Sequence, residues 1–95
     1  MAKGYWIGRV DVNNDEGYKP YAAANQAIFR KFGGRYVVRG GKFENPEGSS
    51  RKRNVVIEFP SYEHAHGYAT SPEYAEAKKL RQGAGAIDIT IVEGA

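Results

Sequence analysis

Hydrophobic and polar positions along the chain recur with two different periods. Residues 5–12 are rich in β-branched and aromatic types and give way to three polar residues, which predicts a strand followed by a turn. Between residues 16 and 32 the apolar positions recur every three or four residues, which predicts an amphipathic helix with Asp15 as its N-cap. Gly33 and Gly34 end this helix, since glycine accepts the left-handed C-cap conformation.

The second half of the chain predicts two further strands and a helix broken in two. Residues 35–41 and 54–59 are strand-like and are joined by the turn-rich segment 45–50. Ser61 is the expected cap of a short helix that runs to about residue 68. Ser71-Pro72-Glu73 begins the next helix, because it combines a cap, a proline at the first helical position and an acid near the positive end of the helix dipole.

The last helix is expected to end near residue 81 or 82, and residues 86–93 form the final strand. The order of elements is therefore β, α, β, β, α, β. With right-handed crossovers it predicts an α+β fold, a ferredoxin-like βαββαβ arrangement with a four-stranded antiparallel sheet and helices on one face. The length of 95 residues, without a visible linker or repeat, predicts a single domain over residues 1–95.

Alternation within the predicted strands sorts their side chains onto two faces. One face is apolar in every strand and suits packing against the helices. The other face is mixed, provided that no bulge shifts the pairing; its residues are Ile7, Val37, Val56, Val92, Arg9, Arg39, Glu58 and Asp88. Such a face suits a polar-tolerant cover, which predicts a homodimer through the sheet face with on the order of 1,200–2,000 Å² buried in total.

Composition strengthens the expectation of a second subunit. A chain of this length buries only about 60–65% of the surface that it exposes when unfolded. Small domains compensate with disulfides, metals or oligomerisation. Cysteine is absent, which removes disulfides and thiolate–zinc sites from these options. No signal peptide and no apolar run of membrane-spanning length is visible, so we expect a cytoplasmic protein without a membrane partner.

A nucleic-acid partner is not expected. The net charge is +3, and three basic residues cluster at positions 51–53, which is typical of a solvated loop as well as of a nucleic-acid contact. RNA-recognition domains share the βαββαβ order but carry stacking aromatics on their third strand. Asn54 and Val56 replace two of these aromatics here, so the platform on which bases stack is missing.

Four helix residues suggest a polar cleft between the helices and the sheet. Asn25 sits near the centre of the apolar stripe of the first long helix, with Tyr18 and Tyr21 on the same stripe. Arg81 lies at the margin of the inner face of the last helix. These residues either line a ligand site or form a structural tie from helix to strand, with Arg81 extending to solvent.

The two histidines carry no metal site. His64 and His66 are two residues apart on a predicted helix and point about 200° away from each other, so they do not chelate one ion. On that short helix Tyr62, Ala65 and Ala69 define the expected inner face, and Leu80 shares the inner face of the next. General acid–base work by His66 stays open without an identifiable partner. The glycine pairs match neither a dinucleotide fingerprint nor a P-loop, so no cofactor is expected.

Several motifs in sequence order resemble one known family, domain of unknown function 1330 of the dimeric α/β barrel superfamily. They are Tyr5-Trp6-Ile7, Tyr18 with Tyr21, Gly34-Arg35, Arg39-Gly40-Gly41, Glu47-Gly48, Arg53, Val56-Ile57-Glu58-Phe59-Pro60-Ser61, Ser71-Pro72-Glu73-Tyr74 and Arg81. The resemblance implies a ferredoxin-like subunit that pairs sheet to sheet, and it implies no established activity. Superfamily relatives include cofactor-independent monooxygenases, haem-handling enzymes and stress-linked proteins, which transmit no function by fold alone.

The matched positions Arg39, Arg53, Glu58 and Arg81, with Asn25 beside them, are the candidates for binding a small anionic or polar ligand. Arginine suits that role through its planar fork of donors. Salt bridging within the hairpin or between subunits is the competing explanation for Arg39, Arg53 and Glu58. Three functions stay open: a small-molecule binding protein, a cofactor-independent monooxygenase- or isomerase-like enzyme, and a structural or regulatory dimer without a ligand.

Overall fold

The computed structural model describes residues 2–95 and contains the elements in the expected order. They are β1 (Gly4–Val12), α1 (Asp15–Lys31), β2 (Arg35–Arg39), β3 (Arg53–Phe59), α2 (Tyr62–Ala69), α3 (Pro72–Lys79) and β4 (Gly85–Glu93). The four strands form one sheet in the order β2-β3-β1-β4, and all neighbours are antiparallel. The predicted α+β ferredoxin-like fold is therefore confirmed.

The helix starts follow the capping rules, with one correction. Ser61 and Ser71 cap α2 and α3 as expected, and each hydroxyl accepts a hydrogen bond from the backbone N–H three residues later. The cap of α1 is Asn14 and not Asp15, because Asn14 has the extended backbone of a cap and its Oδ1 accepts from the N–H of Gly17 at 3.0 Å. Asp15 is the first helical residue, where its charge faces the positive end of the dipole.

The ends and faces of the short helices differ from the prediction. Helix α3 ends at Lys79, and Leu80 lies in the turn that follows with 47% of its surface exposed. On α2 the side chain of Tyr62 is exposed, whereas Tyr68 is fully buried beside Ala65. The inner face of α2 is thus one step around the helix from the expected one, because it follows the spacing of Ser61, Ala65 and Tyr68.

The two faces of the central strands are as predicted. Trp6 lies opposite Ile57 on one side and Ile91 on the other, and all three point towards the helices. Ile7 lies opposite Val56 and belongs to the open face. The alternation of β1, β3 and β4 therefore places the apolar set under the helix layer.

The edge strand β2 departs from the predicted register. Tyr36 pairs with Ile57, but Val38 and not Val37 pairs with Val56, so one extra residue is inserted in β2. This bulge places Val38 on the open face and moves Arg39 opposite Val55, on the helix side. The prediction that Arg39 lies on the open face is wrong for this reason, and Val37 is the residue of β2 that has no partner in β3.

The core between helices and sheet is built mainly from aromatic rings. Tyr68 has no exposed surface, and its ring lies within 6.4 Å, centroid to centroid, of five other aromatic rings. Those rings belong to Trp6, Phe29, Phe32, Phe59 and Tyr74. Most of these pairs meet edge to face, the arrangement that ring quadrupoles favour.

We expect Gly4→Ala to destabilise the fold by about 3 kcal/mol, because the new methyl group would overlap backbone that has no room to move. A Cβ at Gly4 would lie 2.2 Å from the carbonyl oxygen of Ser61, which caps α2. The matched control is Gly67→Ala on α2, where the nearest atoms of Phe32 are 3.9 Å away. That change should stabilise the helix by up to about 1 kcal/mol. Urea denaturation of both variants measures the difference, and equal stabilities would contradict the packing of α2 on β1.

Candidate functional site

Asn25 lies in the middle of α1 with only 4% of its surface exposed. The hydroxyl of Tyr68 donates a hydrogen bond to Asn25 Oδ1, which joins α1 to α2 inside the core. A buried amide without partners would cost free energy, so this bond accounts for the presence of Asn25 in an apolar stripe.

A second buried contact joins α1 to α3. The hydroxyl oxygens of Tyr21 and Tyr74 are 2.9 Å apart, and both side chains are buried. Burial raises the pKa of Tyr21 and of Tyr68 far above the usual range for a phenol. These hydroxyls therefore stay protonated at neutral pH, so each keeps a hydrogen that it can donate.

Arg81 follows α3, in the turn that leads into β4. Its guanidinium carbon lies 5.1 Å from the centroid of the Tyr21 ring, a cation–π contact. Its Nε is buried and has no hydrogen-bond partner in the described chain, residues 2–95. The guanidinium is thus held against an aromatic face while part of its donor capacity is unused.

A cleft of about 620 Å³ opens beside α3. Tyr74, Lys78, Lys79 and Arg81 line it together with small residues of the α2–α3 turn and of the turn before β4, and no carboxylate is among its lining residues. Lys79 is paired with Glu76 at 3.1 Å on the same helix. The cleft therefore combines an aromatic wall with a positive charge excess.

Tyr18 lies beside Tyr21 and also lines a second groove next to α1. Its ring lies 5.3 Å from that of Tyr21, and it lines a groove of about 410 Å³ together with Arg53. Burial raises the pKa of Tyr18, while the positive charges of Arg53 and Arg81 act in the opposite direction. The hydroxyl of Tyr18 is therefore within electrostatic reach of both arginines.

Of the eight predicted site residues, five lie on α1 or next to it, and three lie elsewhere. The five are Asn25, Tyr18, Tyr21, Arg53 and Arg81. Arg39 stacks on Tyr36 of the edge strand, with its guanidinium carbon 4.8 Å from the ring centroid. His66 is exposed and stacks on Tyr62. Residues 2–95 contain no group of three histidine or acidic side chains that could hold a metal ion.

Glu58 belongs to the open face of the sheet. It accepts hydrogen bonds from the Tyr5 hydroxyl at 2.9 Å and from Arg35 Nη2 at 2.9 Å. The bonds from Arg35 and Tyr5 lower the pKa of Glu58. Its contacts fit the salt-bridging explanation, and it does not line the cleft beside α3.

Three residues of the region were absent from the predicted set, namely Trp6, Tyr68 and Tyr74. Trp6 is 2% exposed, its ring lies 6.4 Å from that of Tyr74, and its Nε1 has no hydrogen-bond partner in the part of the chain that the structure describes. The sequence assigned Trp6 and Tyr74 to inner faces, where aromatic residues serve as ordinary core. What distinguishes them is that their hydroxyl and indole N–H groups lie close together in the buried layer between the helices and the sheet. This closeness becomes visible only when the helices are assembled.

We expect the hydrogen bond between Tyr68 and Asn25 to couple α1 and α2 energetically. Tyr68→Phe leaves the amide oxygen without its donor and should cost about 1–3 kcal/mol of unfolding free energy. In a double-mutant cycle with Asn25→Ala, the double variant should lose less than the sum of the single losses, by at least about 0.5 kcal/mol. Tyr62→Phe, at an exposed tyrosine of the same helix, is the control and should change little. Strict additivity in thermal unfolding would contradict the coupling.

No helix in residues 2–95 has both the length and the apolar character needed to cross a membrane.

Comparison with solved structures shows the fold at low sequence identity. A protein of unknown function from Rhodopseudomonas palustris superposes with a TM-score of 0.74 at 19% identity, over 99% of this chain and 83% of the other. SnoaB, a cofactor-independent oxygenase from Streptomyces nogalater, gives 0.65 at 10% identity over 97% and 92%. A dimeric protein of unknown function with a ferredoxin-like fold from Bacteroides fragilis gives 0.54 at 20% identity over 97% and 94%.

A search of curated protein sequences found no match. A family model does match, and it spans residues 3–95. The motifs that suggested the resemblance lie along this whole span, from Tyr5 to Arg81. The chain therefore belongs to the family described as Domain of unknown function (DUF1330).

Proposed function

We propose that this protein binds a small polar or anionic molecule in the cleft beside α3, with Arg81 as the residue that contacts the ligand's negative charge. The observation that carries the proposal is the state of Arg81: its guanidinium rests on Tyr21, and its Nε is buried without a partner in residues 2–95. Buried polar groups are nearly always hydrogen-bonded, so an unused arginine donor beside a cleft favours a ligand.

Two arginines of the described chain are engaged by carboxylates. Arg35 pairs with Glu58 at 2.9 Å, and Arg51 bridges Asp11 and Asp88 at 2.9 and 3.0 Å. Arg81 has no carboxylate partner within residues 2–95, a property that it shares with four other arginines. What sets Arg81 apart is its place: it is the arginine that lines the cleft beside α3, and the lining residues include no acid.

The size and lining of the cleft suit a small molecule. About 620 Å³ lies within the range of roughly 300–1,000 Å³ that is usual for ligand pockets. Tyr74 supplies an aromatic wall, and Lys78 adds a second positive charge near Arg81. An anion with an apolar body would satisfy both parts of the lining.

Ligand binding requires less of the cleft than the alternative function, that of a cofactor-independent monooxygenase- or isomerase-like enzyme. The oxygenase from Streptomyces nogalater shares the fold at 10% identity, and a fold hosts many unrelated functions. An enzyme of that kind needs a group that takes a proton from its substrate. The described residues that line the cleft include no histidine and no carboxylate. These observations favour binding.

We expect benzoate, a small aromatic anion, to raise the melting temperature of the protein in a saturable way. Arg81→Gln should weaken binding at least tenfold, since a charge-assisted hydrogen bond contributes about 1.5–3 kcal/mol. Arg30→Gln, at an exposed arginine in the last turn of α1, is the matched control for charge and should bind as the parent does. Isothermal titration calorimetry measures the three affinities. Equal affinity in Arg81→Gln, or no saturable binding by the parent, would contradict the proposal.

A second proposal concerns the open face of the sheet, which we assign to a homodimer contact. Val38 and Val92 are 40% and 43% exposed there, beside the half-buried Ile7 and Val56. Branched apolar side chains alternate with the Arg35–Glu58 pair, so a second copy of the same face would meet both apolar and charged groups. The dimeric protein from Bacteroides fragilis, which shares the fold, supports this choice of partner.

We expect the parent protein to sediment as a dimer at micromolar concentration and Val56→Asp to sediment as a monomer. The new carboxylate would be desolvated at the centre of the interface without a partner. Ala23→Asp, at an exposed position of α1, adds the same charge on the opposite layer and should leave the dimer intact. A monomeric parent, or a dimeric Val56→Asp variant, would contradict the assignment of this face.

A further inference from the structure

Hydrogen-bond donors without acceptors are grouped around Tyr21 and Tyr74. The indole Nε1 of Trp6 and the Nε of Arg81 are both buried and both unpartnered in residues 2–95. The Trp6 ring lies 6.4 Å from the Tyr74 ring, and the Arg81 guanidinium carbon lies 5.1 Å from the Tyr21 ring centroid. The two unused donors therefore belong to residues that lie beside the same pair of tyrosines, and of these two residues Arg81 lines the cleft.

The tyrosine pair contributes a third donor. The hydroxyls of Tyr21 and Tyr74 share one hydrogen bond of 2.9 Å, in which either can be the donor. Each hydroxyl carries one hydrogen, so the one that accepts in this bond keeps its own hydrogen free. Burial keeps Tyr21 protonated, because it raises the pKa of the phenol. One O–H of the pair is thus available to an acceptor.

The buried polar groups without partners are all of one kind. The two buried side-chain atoms without partners in the described residues are both N–H donors, and neither is an oxygen acceptor. The two acids of α3 are engaged elsewhere: Glu73 accepts from Lys31 at 2.6 Å and Glu76 from Lys79 at 3.1 Å. An unpaired buried donor costs about 1–3 kcal/mol, so the fold keeps these groups at the expense of stability.

We infer that the ligand of this cleft is an aromatic acceptor, a planar ring that carries a carboxylate, enolate or carbonyl oxygen and presents that oxygen to Arg81 and Tyr74, the donors among the lining residues that belong to this cluster. This inference rests on the proposed function and specifies its ligand class. The acceptor oxygen pairs with the donors that line the cleft. The ring packs against Tyr74, the aromatic residue of the lining, where an edge-to-face contact between rings contributes about 0.5–1.5 kcal/mol. An ammonium group, which has donors and no acceptor, would meet donors and find no partner there.

Three probes of the same size separate the ligand classes: benzoate, benzyl alcohol and benzylamine. Benzoate supplies only acceptors, benzyl alcohol supplies a donor and an acceptor, and benzylamine supplies a cation. We expect benzoate to bind at least tenfold more tightly than benzyl alcohol, and benzylamine to show no saturable binding in calorimetry. Tyr74→Phe removes the hydroxyl but keeps the ring and should weaken benzoate severalfold, whereas Tyr62→Phe on the exposed face of α2 should not.

Trp6 provides a direct reporter, because it is the only tryptophan of the chain. Its indole N–H gives one resonance in a ¹H–¹⁵N spectrum of the parent protein, and this readout needs no variant that might fail to fold. We expect the indole resonance to move in proportion to bound benzoate, because the Trp6 ring lies 6.4 Å from the ring of Tyr74, which lines the cleft.

The outcomes separate the inference from the proposed function. If none of the three probes binds saturably, the binding proposal fails and the inference fails with it. If benzyl alcohol or benzylamine binds as tightly as benzoate, the cleft is a ligand site but the acceptor class is overturned. If benzoate binds while the indole resonance stays in place, the ligand does not reach Tyr74 and the inference is contradicted. Tight and selective benzoate binding with a moving indole resonance supports both.

Discussion

The packing of the helix layer on the sheet depends on one buried hydrogen bond, from the Tyr68 hydroxyl to Asn25 Oδ1. Tyr68 is completely buried, and five aromatic rings pack around it, so α1, α2, α3 and the sheet all meet at this side chain. A phenylalanine core would need no polar partner. A tyrosine core does, because each hydroxyl carried into the interior must be hydrogen-bonded or its desolvation is uncompensated.

The candidate site follows from this requirement. Asn25 satisfies Tyr68, and Tyr21 and Tyr74 satisfy each other in part, so the helices are joined by polar contacts inside an apolar layer. Two buried donors, Trp6 Nε1 and Arg81 Nε, have no acceptor within residues 2–95, and Arg81 packs on Tyr21 from the turn after α3. Structural tie and ligand site are therefore not exclusive explanations. Asn25 belongs to the first, and Arg81 with Tyr74 belongs to the second.

Elements that depend on local periodicity could be predicted from the sequence, and features that depend on neighbours could not. Alternation gave the correct faces of β1, β3 and β4, and the serine caps gave the starts of α2 and α3. The bulge at Val37 could not be anticipated, because it depends on how β2 pairs with β3, and alternation within β2 alone does not reveal that pairing. The same bulge decides that Arg39 turns towards the helices.

The candidate site could be predicted only in part, because some of its residues leave a local signal in the sequence and others do not. Asn25 interrupts an apolar stripe, which is a local signal, and Arg81 was found at the margin of a helix face. Trp6, Tyr68 and Tyr74 carry no such signal, since aromatic residues at inner positions are ordinary core. Their polar atoms acquire meaning only when three helices and one strand bring them to the same layer, where the balance of donors and acceptors can be counted.

A crystal structure of the protein soaked with benzoate tests this account most directly. The account places the carboxylate against Arg81 and the hydroxyl pair of Tyr21 and Tyr74, with the benzene ring against the aromatic wall of the cleft. Benzoate bound elsewhere on the surface, with the Arg81 side chain turned out to solvent, would contradict it.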